Sequence, residues 1–405
     1  PGNHVLIPFS WRCIYRIGRR GVPDLLPVPY GAACVAAIIW GCYLAPCAER
    51  DLRVLHPYPG TIRTMPSTSD SDLTNWRSRA LDVETEIKKA IIGQDRAIRL
   101  LLIAVFARGH ALLEGDVGVG KTTLLRALAH VLGGEYERIE GTIDLMPNDL
   151  IYHTYINEQG RPAVDPGPLL KYEEGLATFF FNEVNRARPQ VHSLLLRVMA
   201  ERSVTAFNRE YYFPHLQVFA DRNRVEKEET FELPAAARDR FLMELNITMP
   251  ADPELQRELM FDTRFFDVDA LIGGLAGGVV PFDALNDVGG MIQRSITTSP
   301  TIERYALDLC AATRNPAAYG VDIDGVDMSQ LVLSGVSPRG MGMLMRAAKV
   351  AAWLHERDAL VPEDIHTVFY ETVAHRIFFS PVYELHRAET IQALMDQIVN
   401  KVVSP

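Results

Sequence analysis

An α/β domain on a parallel sheet, followed by a smaller all-α domain, is the fold class that this 405-residue sequence predicts. Three observations predict it. Gly115-Asp116-Val117-Gly118-Val119-Gly120-Lys121-Thr122 fits the phosphate-binding pattern G-x-x-x-x-G-K-[ST], with an apolar run, Ala111 to Leu113, before it and a helical pattern, Leu124 to Leu132, after it. From Ile91 to Pro250 short apolar runs alternate with helical segments, the signature of βαβ units. Beyond Gly273-Gly274 and Gly277-Gly278 three helical patterns follow with no strand pattern between them.

Taken in order, Pro66 to Asp72 is rich in Ser, Thr and Asp and reads as a solvated leader, and Trp76 to Ala90 carries a helical apolar period. Strands are expected at Ala111 to Leu113, Ala177 to Phe181, Leu216 to Ala220 and Met243 to Ile247. Two hairpins are expected, at Tyr152 to Pro166 and at Val204 to Tyr212. The paired glycines read as a flexible crossing, after which Thr301 to Thr313, Pro338 to His355 and Pro362 to His375 read as helices. Ser337-Pro338 and Val361-Pro362-Glu363-Asp364 place a proline in the first turn, with acids at the positive end of the second helix. Met341, Met343 and Met345 read as core of the helical part.

Composition divides the chain near residue 64. Before it stand seven Arg and three acidic residues, and four of the five cysteines; after it stand 34 basic and 48 acidic residues and all 12 methionines. An acidic main body disfavours nucleic acid as the principal ligand. No C-x-x-C pair or H-E-x-x-H pattern occurs, so neither a zinc site nor a disulfide framework is indicated. Pro29 to Cys47 is 19 residues without a charge. It reads either as an apolar anchor or signal-type segment, or as a stretch upstream of a true beginning at Met65; the abrupt shift in composition favours the second. The main body is expected in the cytoplasm, with membrane contact only if residues 29–47 are genuine.

The loop implies a nucleoside triphosphate, with backbone N–H groups around the phosphates, Lys121 on their outer oxygens and Thr122 on Mg²⁺. A later strand, Thr178 to Phe181, runs into Asn182-Glu183. Glu183 stands where a carboxylate could orient water for attack on the γ-phosphate, or it simply starts the next helix. Asn182 stands where a magnesium-side aspartate is usual; an amide can hold a metal-bound water but lacks the charge, so weaker metal binding and slower turnover are expected.

These residues resemble the MoxR family of AAA+ ATPases, from about Ile92-Gly93-Gln94-Asp95 to His375-Arg376-Ile377. The resemblance is carried by the run Gly109 to Gly115, by Asn182-Glu183-Val184-Asn185-Arg186-Ala187, by Asp239-Arg240-Phe241-Leu242 and by Ser337-Pro338-Arg339. It implies an atypical N-terminal extension at 1–64, a AAA+ domain at 65–275 and a helical lid at 276–405. Within the family, the phosphate loop and the Phe-Asn-Glu-Val-Asn-Arg-Ala-Arg-Pro segment look like the branch associated with methanol dehydrogenase maturation.

By position, the resemblance implies that Asn223 helps place the lytic water, that Arg240 reaches a neighbouring subunit's site and that Arg339 contacts the γ-phosphate. Asn223 sits in Asp221-Arg222-Asn223-Arg224, where the family's usual text is Thr-Gln-Asn-Pro, which puts its neighbours in doubt. A capped surface turn at Asn223 and surface ion pairs at either arginine remain open, as do Arg186, Arg188 and Arg238 as alternatives to Arg240. Ile92, Gly93 and Thr123 join the loop as expected nucleotide contacts. The implied assembly is a homo-oligomeric ring, expected to be a hexamer, that uses ATP and Mg²⁺ to remodel a client, often with a partner carrying a von Willebrand A domain, and the two hairpins would line the ring. Two other functions stay open: a nucleotide-gated scaffold that hydrolyses little, and a DNA-directed AAA+ protein, against which stand the acidic body and the absence of a helix-turn-helix pattern.

Overall fold

The computed structural model describes residues 70–223 and 231–405. The expectations for residues 1–64 and for Arg224 fall outside the described residues. Helix α1 (Asp70–Ala90) begins inside the expected leader, and α2 (Asp95–Phe106) is buried along nearly its whole length. There follow β1 (His110–Gly115), α3 (Lys121–Leu132), β2 (Glu135–Glu140), α4 (Pro147–Ile151) and the hairpin β3 (Tyr152–Ile156) and β4 (Pro162–Pro166). Next come β5 (Leu176–Asn182), α5 (Pro189–Glu201), the hairpin β6 (Ser203–Ala206) and β7 (Arg209–Tyr212), then β8 (Gln217–Asn223), α6 (Ala235–Arg238) and β9 (Phe241–Ile247).

Five strands make one parallel sheet in the order β2-β5-β8-β1-β9. Strand β5 lies next to the edge and buries all seven residues, because helices cover both faces of the sheet and its sequence is apolar without alternation. Side chains still alternate in direction: Phe180 joins the core under α1, α2 and α3, while Phe179 and Phe181 join a second core under α5. Burying each of these rings contributes roughly 2–3 kcal/mol. Edge strand β2, with the sequence Glu-Tyr-Glu-Arg-Ile-Glu, offers one apolar residue to each face, Tyr136 to the first core and Ile139 to the second, and was not foreseen as a strand.

The helical part runs through α7 (Pro253–Phe261), α8 (Val268–Gly273), α9 (Leu285–Ser295), α10 (Pro300–Ala312) and α11 (Met328–Leu331). It continues with β10 (Val332–Ser334), α12 (Pro338–Leu354), α13 (Pro362–Val373), β11 (Phe378–Phe379), α14 (Pro381–Glu384) and α15 (Arg387–Lys401). Ser337 caps α12 by accepting from the Gly340 N–H at 3.0 Å. Helices α10, α12 and α13 match expectation within about one turn; α9 and α15 were not anticipated, and α9 carries Asn286, Gly289 and Gly290, residues that weaken a helical signal.

The crossing at the paired glycines is not free. Gly278 N–H donates to His130 O at 3.2 Å and Val279 N–H to Val131 O at 2.8 Å, which pins it to the end of α3. The helical part also shares a core with the sheet domain: Phe106 and Trp353 rings lie 5.0 Å apart, and Trp353 Nε1 donates to Leu73 O at 3.2 Å. Met341, Met343 and Met345 pack against this core, as expected. Arg376, only 2% exposed, ties the last 3-10 turn to Asp239 and to the carbonyls of Phe241 and Leu242. No described helix is long and apolar enough to cross a membrane.

Candidate nucleotide site

The phosphate loop leaves β1 at Gly115, where a Cβ would lie 2.2 Å from Ile247 O on the adjacent strand, so no side chain fits. Gly118 and Gly120 adopt φ +81° and +89°, and a Cβ built on either meets nothing within 4 Å. An open backbone cradle therefore ends on Gly120, the N-cap of α3, where the first-turn N–H groups of the helix have no acceptor within the helix itself. Lys121 is 5% exposed and its ammonium donates to Gly115 O at 2.8 Å, Asp116 O at 3.0 Å and Asn223 Oδ1 at 2.6 Å. A charge that deep needs that many acceptors.

Asn223 reaches the other way as well, donating from Nδ2 to Glu183 Oε1 at 3.1 Å. One amide thus joins the lysine of the loop to the carboxylate at the end of β5. Glu183 is not the start of an α-helix; it takes a left-handed backbone (φ 51°, ψ 48°) before a short 3-10 turn. Three groups hold it there. Its N–H donates to Asp221 Oδ1 at 2.6 Å, its Oε2 accepts from Arg186 at 3.0 Å, and its carbonyl backs onto Gly141, where a Cβ would come within 2.1 Å. Asn182 accepts from Thr122 Oγ1 at 3.3 Å and donates from Nδ2 to Glu140 Oε1 at 2.5 Å.

Burial pushes the Asp221 carboxyl up to about 6, against the Glu183 N–H and the Lys121 charge, which pull it down. Sequence reasoning quoted Asp221 only as part of an unusual stretch and passed over Glu140 and Gly141. Asp221 could have been found from the text, because an acid two residues before Asn223 on a strand shares its face. Glu140 and Gly141 carry no signal until β2 is seen beside β5.

Beside the loop, a cavity of about 250 Å³ is lined by Ile92, Gly118, Gly120, Thr123, Pro250 and Phe265, among others. Its size and mainly apolar wall suit a nucleobase. Gly93 does not line it; with φ +72°, and with no room for a Cβ against Pro250, it shapes the wall that Ile92 forms. The structure so brings together the loop, Ile92, Thr123, Asn182, Glu183 and Asn223. Val117 is exposed at the loop's tip.

Asp239, next to Arg240 in the chain, is the partner of Arg339. Arg339 donates to Asp239 Oδ2 at 2.7 Å, and Ser337 Oγ and Arg376 Nε bind Asp239 Oδ1 at 2.7 and 3.1 Å. Arg240, next in the chain, donates to Ala236 O at 2.7 Å. Of the alternatives, Arg186 is engaged with Glu183 and Arg238 lies over the Phe378 ring at 4.9 Å. The hairpins fold as expected and touch through the Tyr152 and Phe207 rings, 4.8 Å apart, with Ile156 and Phe207 more than half exposed.

The donors are all oxygens, from Thr122, Asn182, Asp221 and Glu183, and no described group of three or more His, Cys, Asp or Glu could cage an ion alone. That fits Mg²⁺, which keeps most of its ligands as water and phosphate oxygens, and fits zinc poorly. A parallel sheet with an open phosphate loop, a lysine, amide and carboxylate in line, and a helical lid defines a AAA+ ATPase. Residues 110–243 match the profile of the ATPase family associated with various cellular activities, and residues 328–398 match that of the AAA lid domain. The chain belongs to the MoxR family of these proteins. It is 59% identical to protein MoxR of Methylorubrum extorquens, over 83% of this chain and 98% of that one. It is 55% identical to protein MoxR of Paracoccus denitrificans (81% and 96%) and 32% identical to chaperone MoxR1 of Mycobacterium tuberculosis (78% of each). A solved Cytophaga hutchinsonii protein assigned as an ATPase superposes with a TM-score of 0.72 at 32% identity, covering 83% of this chain and 97% of that one.

Proposed function

We propose that this protein binds and hydrolyses ATP with Mg²⁺ as a subunit of a homo-oligomeric ring, and that the cycle remodels or matures a partner protein. The observation that carries the reading is the continuous connection from Lys121 through Asn223 to Glu183, which places a cation for the phosphates and an acceptor for water at the two ends of one amide. The α3 N-terminus and loop N–H groups bind the phosphates, Lys121 neutralises them, and Glu183 takes a proton from the attacking water. Bound Mg²⁺ would draw charge off the phosphate oxygens, held by Thr122 directly and by Asn182 through its water shell. Lys121 donates to the loop carbonyls of Gly115 and Asp116, acceptors that phosphate oxygens would replace.

Arg240 is assigned to the neighbouring subunit's nucleotide and Arg339, from the lid, to the γ-phosphate. The ring is taken as a hexamer and the boundary between AAA+ domain and lid as residue 275. On the family resemblance, the client is taken to belong to methanol oxidation, the partner to carry a von Willebrand A domain and the site of action to be the cytoplasm. The test compares Lys121→Ala, which should abolish binding of a fluorescent ATP analogue, with Glu183→Gln, which should bind normally and lose hydrolysis by roughly 10²–10⁴-fold. Normal phosphate release from Glu183→Gln would overturn the role of Glu183. A nucleotide-gated scaffold is the second reading, favoured by the amide at 182, and a wild-type protein that binds the analogue but releases phosphate no faster than Lys121→Ala would establish it.

A further inference from the structure

Asp221 and Asn182 stand side by side. Phe181 of β5 pairs with Ala220 of β8, so the next residues, Asn182 and Asp221, are level on adjacent strands. Both lie on the face that carries Phe180 and Phe219, the face toward α3 and the phosphate loop. Asp221 is 2% exposed. One oxygen accepts the Glu183 N–H; the other faces the Lys121 ammonium at 4.0 Å, beyond hydrogen-bond reach. A buried carboxylate with so little support is costly, and an amide could serve the Glu183 N–H equally well.

Asn182, for its part, is fitted to be an amide. Its oxygen accepts from the Thr122 hydroxyl and its nitrogen donates to the Glu140 carboxylate. An aspartate there would lose the donor and set a negative charge against Glu140 on one side and Asp221 on the other. The chain has therefore not lost an acid; the acid stands one strand over.

We infer that Asp221 is the magnesium-side carboxylate of this site, supplying from β8 the negative charge that Asn182 does not supply from β5. The inference rests on the ATP reading above and names the residue that the hydrated ion depends on. Asp221 acts through the ion's water shell, as second-sphere carboxylates do for an ion that dehydrates reluctantly. It also explains why the expectation of weak metal binding, drawn from Asn182 alone, does not follow.

The experiment measures binding of a fluorescent ATP analogue to the full-length protein, in EDTA and across a Mg²⁺ titration. Asp221→Asn keeps an acceptor for the Glu183 N–H, removes the charge and places an amide nitrogen where the other oxygen faces Lys121. It should raise the Mg²⁺ concentration for half-maximal tightening by roughly tenfold or more and leave affinity in EDTA within about twofold. The exchange Asn182→Asp with Asp221→Asn, which moves the acid back across the strands at constant composition, should recover much of the loss. Asn182→Asp alone should not lower the midpoint. An unchanged midpoint in Asp221→Asn overturns the inference, as does an equal loss of affinity with and without Mg²⁺, which marks a structural role. If Asp221→Asn does not fold, Asp221→Thr, whose hydroxyl can also accept from Glu183, carries the same measurement. Absence of wild-type binding in either condition would overturn the ATP reading itself.

Discussion

The Arg339 guanidinium is bonded to the Asp239 carboxylate at 2.7 Å, and Asp239 immediately precedes Arg240. Arg339, Ser337 and Arg376 thereby cluster on Asp239, the residue before the arginine assigned to the neighbouring subunit, which itself donates to Ala236 O of α6. The cluster leads to a complementation result. Arg240→Ala and Lys121→Ala proteins should each be inactive alone, and mixed they should recover part of the ATPase activity, because one keeps the loop and the other the arginine. Phosphate release from mixtures, with co-assembly confirmed by tag pull-down, checks this; no recovery at any ratio would withdraw the trans assignment.

Asp239 is the point at which the lid holds that cluster, through Ser337, Arg339 and Arg376. Removing it leaves the Arg376 guanidinium buried with one fewer partner. Asp239→Ala should destabilise the fold by about 3 kcal/mol, the size expected when one member of a buried ion pair is deleted, and it should lower ATPase activity although Arg240 is intact. Thermal melting and phosphate release, measured on the same preparation, test both effects; an unchanged melting midpoint would refute the first.

Gly141 is held to its lack of a side chain by the Glu183 carbonyl. Gly141→Ala must push Glu183 away from Asn223, and with it the acceptor for water. Hydrolysis should fall by roughly 10–100-fold, since displacements of about 1 Å in a reacting group cost that much, while binding of an ATP analogue stays near the wild-type value. Equal loss of both would show that the whole loop had shifted.

Acid should destabilise this fold through its buried histidines. His110 is buried, its Nδ1 accepting from Val218 N–H at 2.9 Å and its Nε2 facing Met199 O at 3.1 Å, and burial pushes it down to about 3. His192 and His375 are lowered for the same reason. These groups bind more protons unfolded than folded from about pH 6.5 down to the folded values, so stability falls as pH drops through that window. Asp221, raised to about 6, acts in the opposite sense between about pH 4 and 6, but it is one group against three. The melting midpoint should decline from pH 7.5 to pH 5; a flat profile would contradict the burial of the histidines.

Much of the site was legible because its parts are local in sequence. The loop, Asn182-Glu183 and Asn223 each carry their own pattern, and the strands that bear them are apolar runs with clear ends. What was hidden depends on pairing between strands. Glu140 and Gly141 matter only because β2, a polar edge strand without a readable pattern, lies beside β5. Asp221 gains its meaning from standing level with Asn182. The position of Arg339 could not be read either, since a first-turn arginine on a lid helix says nothing about which side of the sheet the lid covers.

Trp353 packs on the Phe106 ring and bonds to Leu73 of α1, where the lid meets the sheet domain. Of the four tryptophans, Trp11 and Trp40 precede Met65, so a chain beginning there keeps Trp76 and Trp353 alone. With Trp76 replaced by Phe, such a protein would carry a single tryptophan, placed where the lid packs on the sheet domain. Emission colour and quenching at that one indole would follow the lid in real time, without any attached dye.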